Sequence, residues 1–491
     1  MKIKIYLLGA LTSLSVVSCE KYIDLKPISQ ETSDNAYNEA SQIEGALTGV
    51  YESFQSAEYY VWDKVGLEDV RSDNYYAGGD NTEIISFDQL KITPTNSRIN
   101  KNWGNIYNAI AKANTVLDKL PGVTDVKLTD ARRTQIRGEA LFLRAYHYYN
   151  LVTMWGGVPL VLAPVTSADP SIVRVPRATA QQVFDQILID LDQAILLLPD
   201  TYGTDPGINK ARATAGAANA LAAKACMQQP TPDFARALLY IAKVESSAAH
   251  YKLIDYAQLF DGSHYNNDES IIEIQYLGGK EGTYGPQLLL PPSISGDSWR
   301  KFVVPTHDLI NAYDAEGDVV RKNASVLFEA APWVDEFWGN AINTAIPFAY
   351  KWKNASGWAS ADHIYLLRLA DILLLKAEAL NETGSLAPAA ALVDQIRLRV
   401  KLPALTADKK SSQDVLRTSI LKERRLELAQ EAQRWDDLVR NKSVVSTMNN
   451  LVEIDLRTNQ PVVYGMTEAK ILLPIPQQEM DRNPALVQNP L

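Results

Sequence analysis

Apolar residues recur three and four positions apart along most of the chain, and this spacing predicts helices. The first covers 35–55, where Tyr37, Ile43, Leu47, Val50, Tyr51 and Phe54 share a side and Asp34 offers an N-cap. A second covers 100–120, with Trp103, Ile106, Tyr107, Ile110 and Leu117 on its apolar side, and stops at Pro121-Gly122. The clearest covers 129–154 and ends at Trp155-Gly156-Gly157-Val158-Pro159. Another follows over 179–198, before Pro199. Alanine-rich segments then pair as helix–turn–helix: 211–228 with 234–249, and 364–382 with 387–400 across Gly384. About four such pairs are expected, similar to tetratricopeptide hairpins but without a regular period. A highly charged helix is expected over 413–440.

The helical period fails in two places. Residues 262–360 are rich in Gly, Pro, Asn, Ser and aromatics and hold five of the nine tryptophans: Trp299, Trp333, Trp338, Trp352 and Trp358. Irregular loops with brief strands, such as 271–276, are expected there. Residues 441–491 read as an extended, proline-punctuated tail. The fold class is therefore mainly α, a single body over 34–491. Its helical frame (34–260 and 361–440) carries the loop-rich region 262–360.

The N-terminus reads differently. Lys2 and Lys4 precede a mostly apolar run, Ile5 to Val17, too short to span a bilayer comfortably. This is the layout of an export signal. Val16-Val17-Ser18-Cys19 resembles the bacterial lipobox. Residues 1–18 are thus expected to be a signal peptide, Cys19 the lipidated N-terminus and 19–33 a tether. The body is expected to meet a membrane only through that lipid.

Charge and motifs narrow the chemistry. There are 48 Lys+Arg against 58 Asp+Glu, a net charge of −10, which disfavours a nucleic-acid partner. Cys19 and Cys226 make neither a disulfide framework nor a zinc site. HExxH, G-x-S-x-G, phosphate-loop and CxxC motifs are absent, and the five histidines show no ligand spacing. Asp314-Ala315-Glu316-Gly317-Asp318 loosely suggests a calcium loop but lacks the remaining ligands. No catalytic residue, metal or cofactor is assigned. A surface glycosidase needs only two carboxyls at a set separation, and nothing in the sequence marks such a pair. In the charged segment, Arg424–Glu427, Glu431–Arg434 and Asp436–Arg440 are spaced to pair along one helix face and read as a structural ion-pair network.

Binding chemistry is easier to place. A sugar wants an aromatic platform edged by carboxylate, amide or guanidinium groups. Arg71, Asp73, Asn74, Tyr75 and Tyr76 supply that set ahead of a turn at Ala77-Gly78-Gly79-Asp80, and are expected on a loop. Trp299, beside Arg300, and Trp333 and Trp338 lie in irregular sequence and are further candidates.

Several segments in order resemble the SusD/RagB family of surface lipoproteins from Bacteroidetes. They are Cys19-Glu20-Lys21-Tyr22-Ile23-Asp24-Leu25-Lys26-Pro27, then Arg137-Gly138-Glu139-Ala140-Leu141-Phe142-Leu143-Arg144-Ala145-Tyr146 with Trp155-Gly156-Gly157-Val158-Pro159-Leu160. Leu367-Arg368-Leu369-Ala370-Asp371-Ile372-Leu373-Leu374, Glu423-Arg424-Arg425-Leu426-Glu427-Leu428, Arg434-Trp435-Asp436-Asp437-Leu438 and Leu473-Pro474-Ile475-Pro476 follow. Leu369 stands where the family commonly has Tyr, and Ala432-Gln433 where it has Glu-Gly. The resemblance implies a tetratricopeptide-like frame and no enzymatic activity. It implies nutrient capture at the outer membrane for a SusC-like TonB-dependent barrel, with glycans as the usual ligand and peptides in some branches. A scaffold that gates its transporter without touching ligand is the remaining alternative.

Overall fold

The computed structural model describes residues 36–455 and 458–491. Cys19, the export signal and the tether lie outside the described residues. The helical frame is present. It consists of α1 (Ala40–Tyr51), α2 (Ser97–Lys119), α3 (Asp130–Trp155), α4 (Ala180–Leu197), α5 (Ala215–Gln228) and α6 (Phe234–Glu245). The helices α7 (His307–Glu316) and α8 (Val319–Ser325) fall in the loop-rich region. The frame resumes with α9 (Leu369–Glu382) and α10 (Leu386–Arg399), and α11 (Gln413–Leu428) and α12 (Arg434–Arg440) close it. From α1 to α6, and on to α9 and α10, each helix packs on the one before it, the nearest-neighbour logic of a helical solenoid.

Side-chain size explains how closely these helices approach. Gly138 on α3 faces α4, where an added Cβ would lie 2.9 Å from Leu198. On α5, Ala217, Ala218, Ala220, Leu221, Ala222, Ala223, Ala225 and Cys226 are all fully buried. Burial pushes the Cys226 thiol up to about 12, so it behaves as a small apolar residue. Helix α1 begins at Ala40 rather than 35, because Glu39 and Gln42 form a capping box and Tyr37 takes a left-handed φ of 71°.

Strands are short. β1 (Tyr75–Tyr76) pairs antiparallel with β3 (Val304–Pro305), β2 (Ser270–Ile274) with β6 (Ile364–Arg368), and β4 (Val326–Ala330) with β5 (Ala345–Ala349). The helix expected over 364–382 therefore starts only at Leu369. Its first five residues, Ile-Tyr-Leu-Leu-Arg, form β6, and a short apolar run of that kind suits strand or buried helix equally. Residues 57–67, read as no element, form a wide helical stretch of π type kinked at Glu58.

The helix expected over 413–440 is broken. Gln430 and Ala432 take left-handed φ values of 66° and 53° between α11 and α12. The turn directs most of the segment's charges to distant partners, while Asp437 meets Arg424 and Arg440 within it. Glu427 meets Arg321, Arg368 and Arg399; Arg424 meets Asp371 and Asp437; Arg434 meets Asp73; Arg440 meets Glu378 and Asp437. Burial alone would raise the Glu427 carboxyl, but Arg399, Arg368 and Arg321 outweigh it and hold the group well below the usual carboxylate range. The structural reading of this charged segment stands, with other pairs than those the spacing suggested.

One buried acid behaves in the opposite way. Asp63, on the π-helix, is 1% exposed, and neither carboxylate oxygen has a hydrogen-bond partner among the described residues. Arg98 approaches only to 3.9 Å. Burial pushes the Asp63 carboxyl from 3.8 up to about 8. The folded chain holds this proton more tightly than the unfolded chain. Its stabilising contribution is therefore complete below the ordinary aspartate range and lost as pH rises through about 8. Unfolding by urea should show wild-type stability falling between about pH 5 and about pH 9, and Asp63→Asn should flatten that fall. An unchanged slope in the variant would show that Asp63 is ionised throughout.

Candidate functional site

The expected exposed platform at Arg71–Tyr76 is corrected by burial: Arg71, Asp73, Asn74, Tyr75 and Tyr76 are each at most 2% exposed. Their polar groups are used internally. Asp73 takes both terminal oxygens to Arg434 at 2.7 Å and also meets Arg425. Burial would raise the Asp73 carboxyl, yet the two guanidinium groups hold it well below its usual range. Asn74 Oδ1 accepts from Arg425 at 2.7 Å. Arg71 pairs with Glu68, donates to the carbonyl of Ile471 and lies 4.0 Å over the Trp435 ring. Tyr75 and Tyr76 are the β1 residues. The Tyr76 hydroxyl donates to Asp335 at 2.7 Å and its ring stacks on Phe337 at 4.1 Å.

Trp333 and Trp338 pack at the β4–β5 hairpin. Trp338 stacks on His307 at 3.7 Å, with Nε1 donating to the carbonyl of Pro305 at 3.1 Å. Trp333 sets its edge against Phe348. Both are half-buried.

Trp299 is different. It is 47% exposed, and beside it stands Trp358, 42% exposed, with ring centroids 5.0 Å apart and planes tilted by 40°. Two large apolar side chains held open to solvent at one place form a patch that isolated exposed residues do not. The 299 loop is fixed from below. Asp297 accepts from Gln287 Nε2 and Lys301 Nζ at 2.6 Å each, and from the backbone N–H of Trp299 at 3.2 Å. On its far side, Arg300 pairs with Glu336 at 3.0 Å, tying the loop to the segment that carries Trp333 and Trp338.

Trp358 is held at a conformational cost. Ser356, Gly357 and Trp358 take consecutive left-handed φ values of 48°, 60° and 76°. For a bulky residue this is an outlier that the surroundings must enforce. The enforcing contacts are visible. Asp362 accepts from the backbone N–H groups of Lys353 and Asn354, and Thr283 and Ser360 exchange backbone hydrogen bonds of 2.9 Å. Gly282 lies so close that an added Cβ would sit 2.5 Å from the Ala359 carbonyl carbon. Composition alone does not single out Trp358. The run Ser356-Gly357-Trp358, a flexible turn presenting an indole, is the signal that could have found it.

A cleft of about 340 Å³ opens on the other side of Arg300, lined by Asp88, Asp335 and Glu336. Burial pushes the Asp88 carboxyl up to about 7. The acidic run 314–318 is structural: Gly317 is the left-handed cap of α7, Asp318 caps α8 and pairs with Arg321, and Asp314 pairs with Lys322. Among the described residues no group of three or more His, Cys, Asp or Glu side chains is placed to hold a metal ion. The exposed indole faces suit stacking on a ligand with apolar C–H faces.

Comparison with known proteins agrees with this architecture. A SusD-like protein of Formosa agariphila is 27% identical over an alignment covering 98% of this chain and 97% of that protein. A SusD-like protein of Bacteroides ovatus is 23% identical, covering 89% and 82%. A solved structure titled a laminarin-binding SusD-like protein superposes with a TM-score of 0.74 at 27% identity, over 92% of this chain and all of that one. A SusD homologue from Bacteroides thetaiotaomicron superposes with a TM-score of 0.77 at 23% identity, over 94% and 99%. The family model described as starch-binding and associating with the outer membrane matches residues 21–227, and the SusD family model matches 336–491. With both ends of the chain matched and relatives aligned across nearly its whole length, the protein belongs to the SusD/RagB family.

Proposed function

We propose that this chain is a non-catalytic, cell-surface lipoprotein that captures oligosaccharides or polysaccharides and delivers them to a SusC-like TonB-dependent transporter of the outer membrane. The observation that carries the reading is the solvent-facing pair Trp299–Trp358, held by a strained turn on one side and a half-buried Asp297 anchor on the other. The laminarin-binding title of one structural relative and the starch-binding description of the matching family model support the same ligand class. Cys19, at the end of the apolar leader, would carry the lipid, and residues 19–33 would give the body reach from the membrane surface. Binding needs no metal: the indole faces supply stacking.

Calorimetry on the soluble form beginning at Glu20 tests the ligand class. Heat is expected from oligosaccharides of laminarin or starch and none from a casein digest. Heat from the digest alone would replace glycan capture with peptide capture.

A further inference from the structure

Two connected hollows run along the C-terminal end of α1. They measure about 590 and 370 Å³ and share Glu52, Gln55, Lys280 and Glu281. The first has an apolar floor that includes Phe54 and Ile274. The second is walled by Asn105, Asn108 and Lys112. Most charged groups of this chain are paired, but Glu52, Lys280 and Glu281 find no partner for their side chains among the described residues. Nor does Asn108, which is exposed. Tyr276 lines the same groove, is 3% exposed, and its hydroxyl is buried without a hydrogen-bond partner. Of the groove amides, Asn105 Nδ2 and Gln55 Nε2 donate to the carbonyls of Glu58 and Gln275, and a buried hydroxyl beside them without a partner costs stability unless something polar reaches it.

The roof of the groove is the turn 277–282, closed by Leu277 and Glu281 hydrogen-bonding through their backbones at 3.1 Å. Gly282, at the end of that turn, lines the groove and is also wedged against Ala359, the residue after Trp358. The groove wall thus touches the chain one residue beyond Trp358.

We infer that the groove beneath 277–282 is a second carbohydrate subsite, taking the residues of a neutral glycan chain that run past Trp299 and Trp358. This rests on the glycan reading above. Two ammonium groups face two carboxylates, so the wall favours a ligand without net charge. Asn108 offers both a donor and an acceptor, and Asn105 and Gln55, whose amide nitrogens are already used, add acceptor oxygens, a mixture that sugar hydroxyls can meet.

The test uses calorimetry with a short and a long oligosaccharide of laminarin, and the same pair from starch. The variant is Asn108→Ala with Lys280→Ala, two exposed positions whose loss leaves no buried group unpaired. The native protein should bind a long chain about tenfold more tightly than the short one, and the variant should lose that difference while binding the short chain as before. Tyr276→Phe should weaken only the long chain. Long-chain affinity unchanged in both variants overturns the subsite and leaves the tryptophan site standing. Loss of short and long binding together in Trp299→Ala/Trp358→Ala, alongside unchanged groove variants, likewise overturns the subsite alone. No heat from any of the four ligands in the native protein overturns the glycan reading and the subsite with it.

Discussion

Replacing Arg368 by methionine is expected to lower the free energy of unfolding by about 3–5 kcal/mol, enough to remove a large part of the stability of a typical domain. Arg368 is 1% exposed and meets Glu269 at 2.9 Å, Glu427 at 2.7 Å and Glu431 at 2.6 Å. Its guanidinium also donates to the carbonyl of Glu427 at 2.9 Å. Methionine keeps much of the volume and removes the charge. Arg399 and Arg321 would remain near Glu427, and Lys351 near Glu431, but each already has its own partners. The carboxylates would be left buried and under-compensated, which is where the cost arises. The effect should reach far, because this cluster joins β6, α10, α11 and the turn before α12. Chemical denaturation gives the number. A control at Arg236, whose pair with Asp192 is solvent-exposed, should change stability by less than about 1 kcal/mol. Equal effects at the two sites would mean that the buried network contributes no more than a surface pair.

The second large effect concerns binding. Trp299→Ala with Trp358→Ala removes both exposed indoles, and each stacking contact contributes about 1 kcal/mol beyond the area it covers. Adding that area, glycan affinity should fall by about a hundredfold, roughly 3 kcal/mol. Stability should not fall. Alanine at 358 keeps the Cβ that makes this left-handed turn strained and so leaves that cost unchanged, and Trp299 lies on a loop whose anchor is Asp297 rather than the ring. A variant that binds weakly and also unfolds early would place these rings in the fold instead of the site.

How much of this is legible in the sequence differs by element. The long helices of the frame follow from apolar spacing because each buries one stripe against its neighbours, and that stripe is written locally. The break after Leu428 does not, since the left-handed residues Gln430 and Ala432 serve partners as distant as Asp73, whose carboxylate waits for Arg434. The same distance explains the misplacement of Arg71–Tyr76. Residue types alone offer a sugar-binding set, and only the fold reveals that arginines more than 350 positions away consume it. Trp299 is legible as an aromatic beside Arg300 in irregular chain. Its companion Trp358 is legible only as an indole after Ser356-Gly357; that it joins Trp299 depends on Gly282 and Thr283, which no local pattern links to position 358. The resemblance to SusD/RagB proteins is legible nearly end to end, since the segments that carry it, such as 137–146, 367–374 and 434–438, are largely buried parts of the frame.

Native affinity electrophoresis of the soluble form, run beside Trp299→Ala/Trp358→Ala through gels that each contain one polysaccharide, tests the central claim most directly. Retardation of the native protein in at least one gel, lost in the double variant at unchanged mobility in plain gel, is the predicted result. Equal retardation of both proteins would contradict it and move glycan binding away from the tryptophan pair.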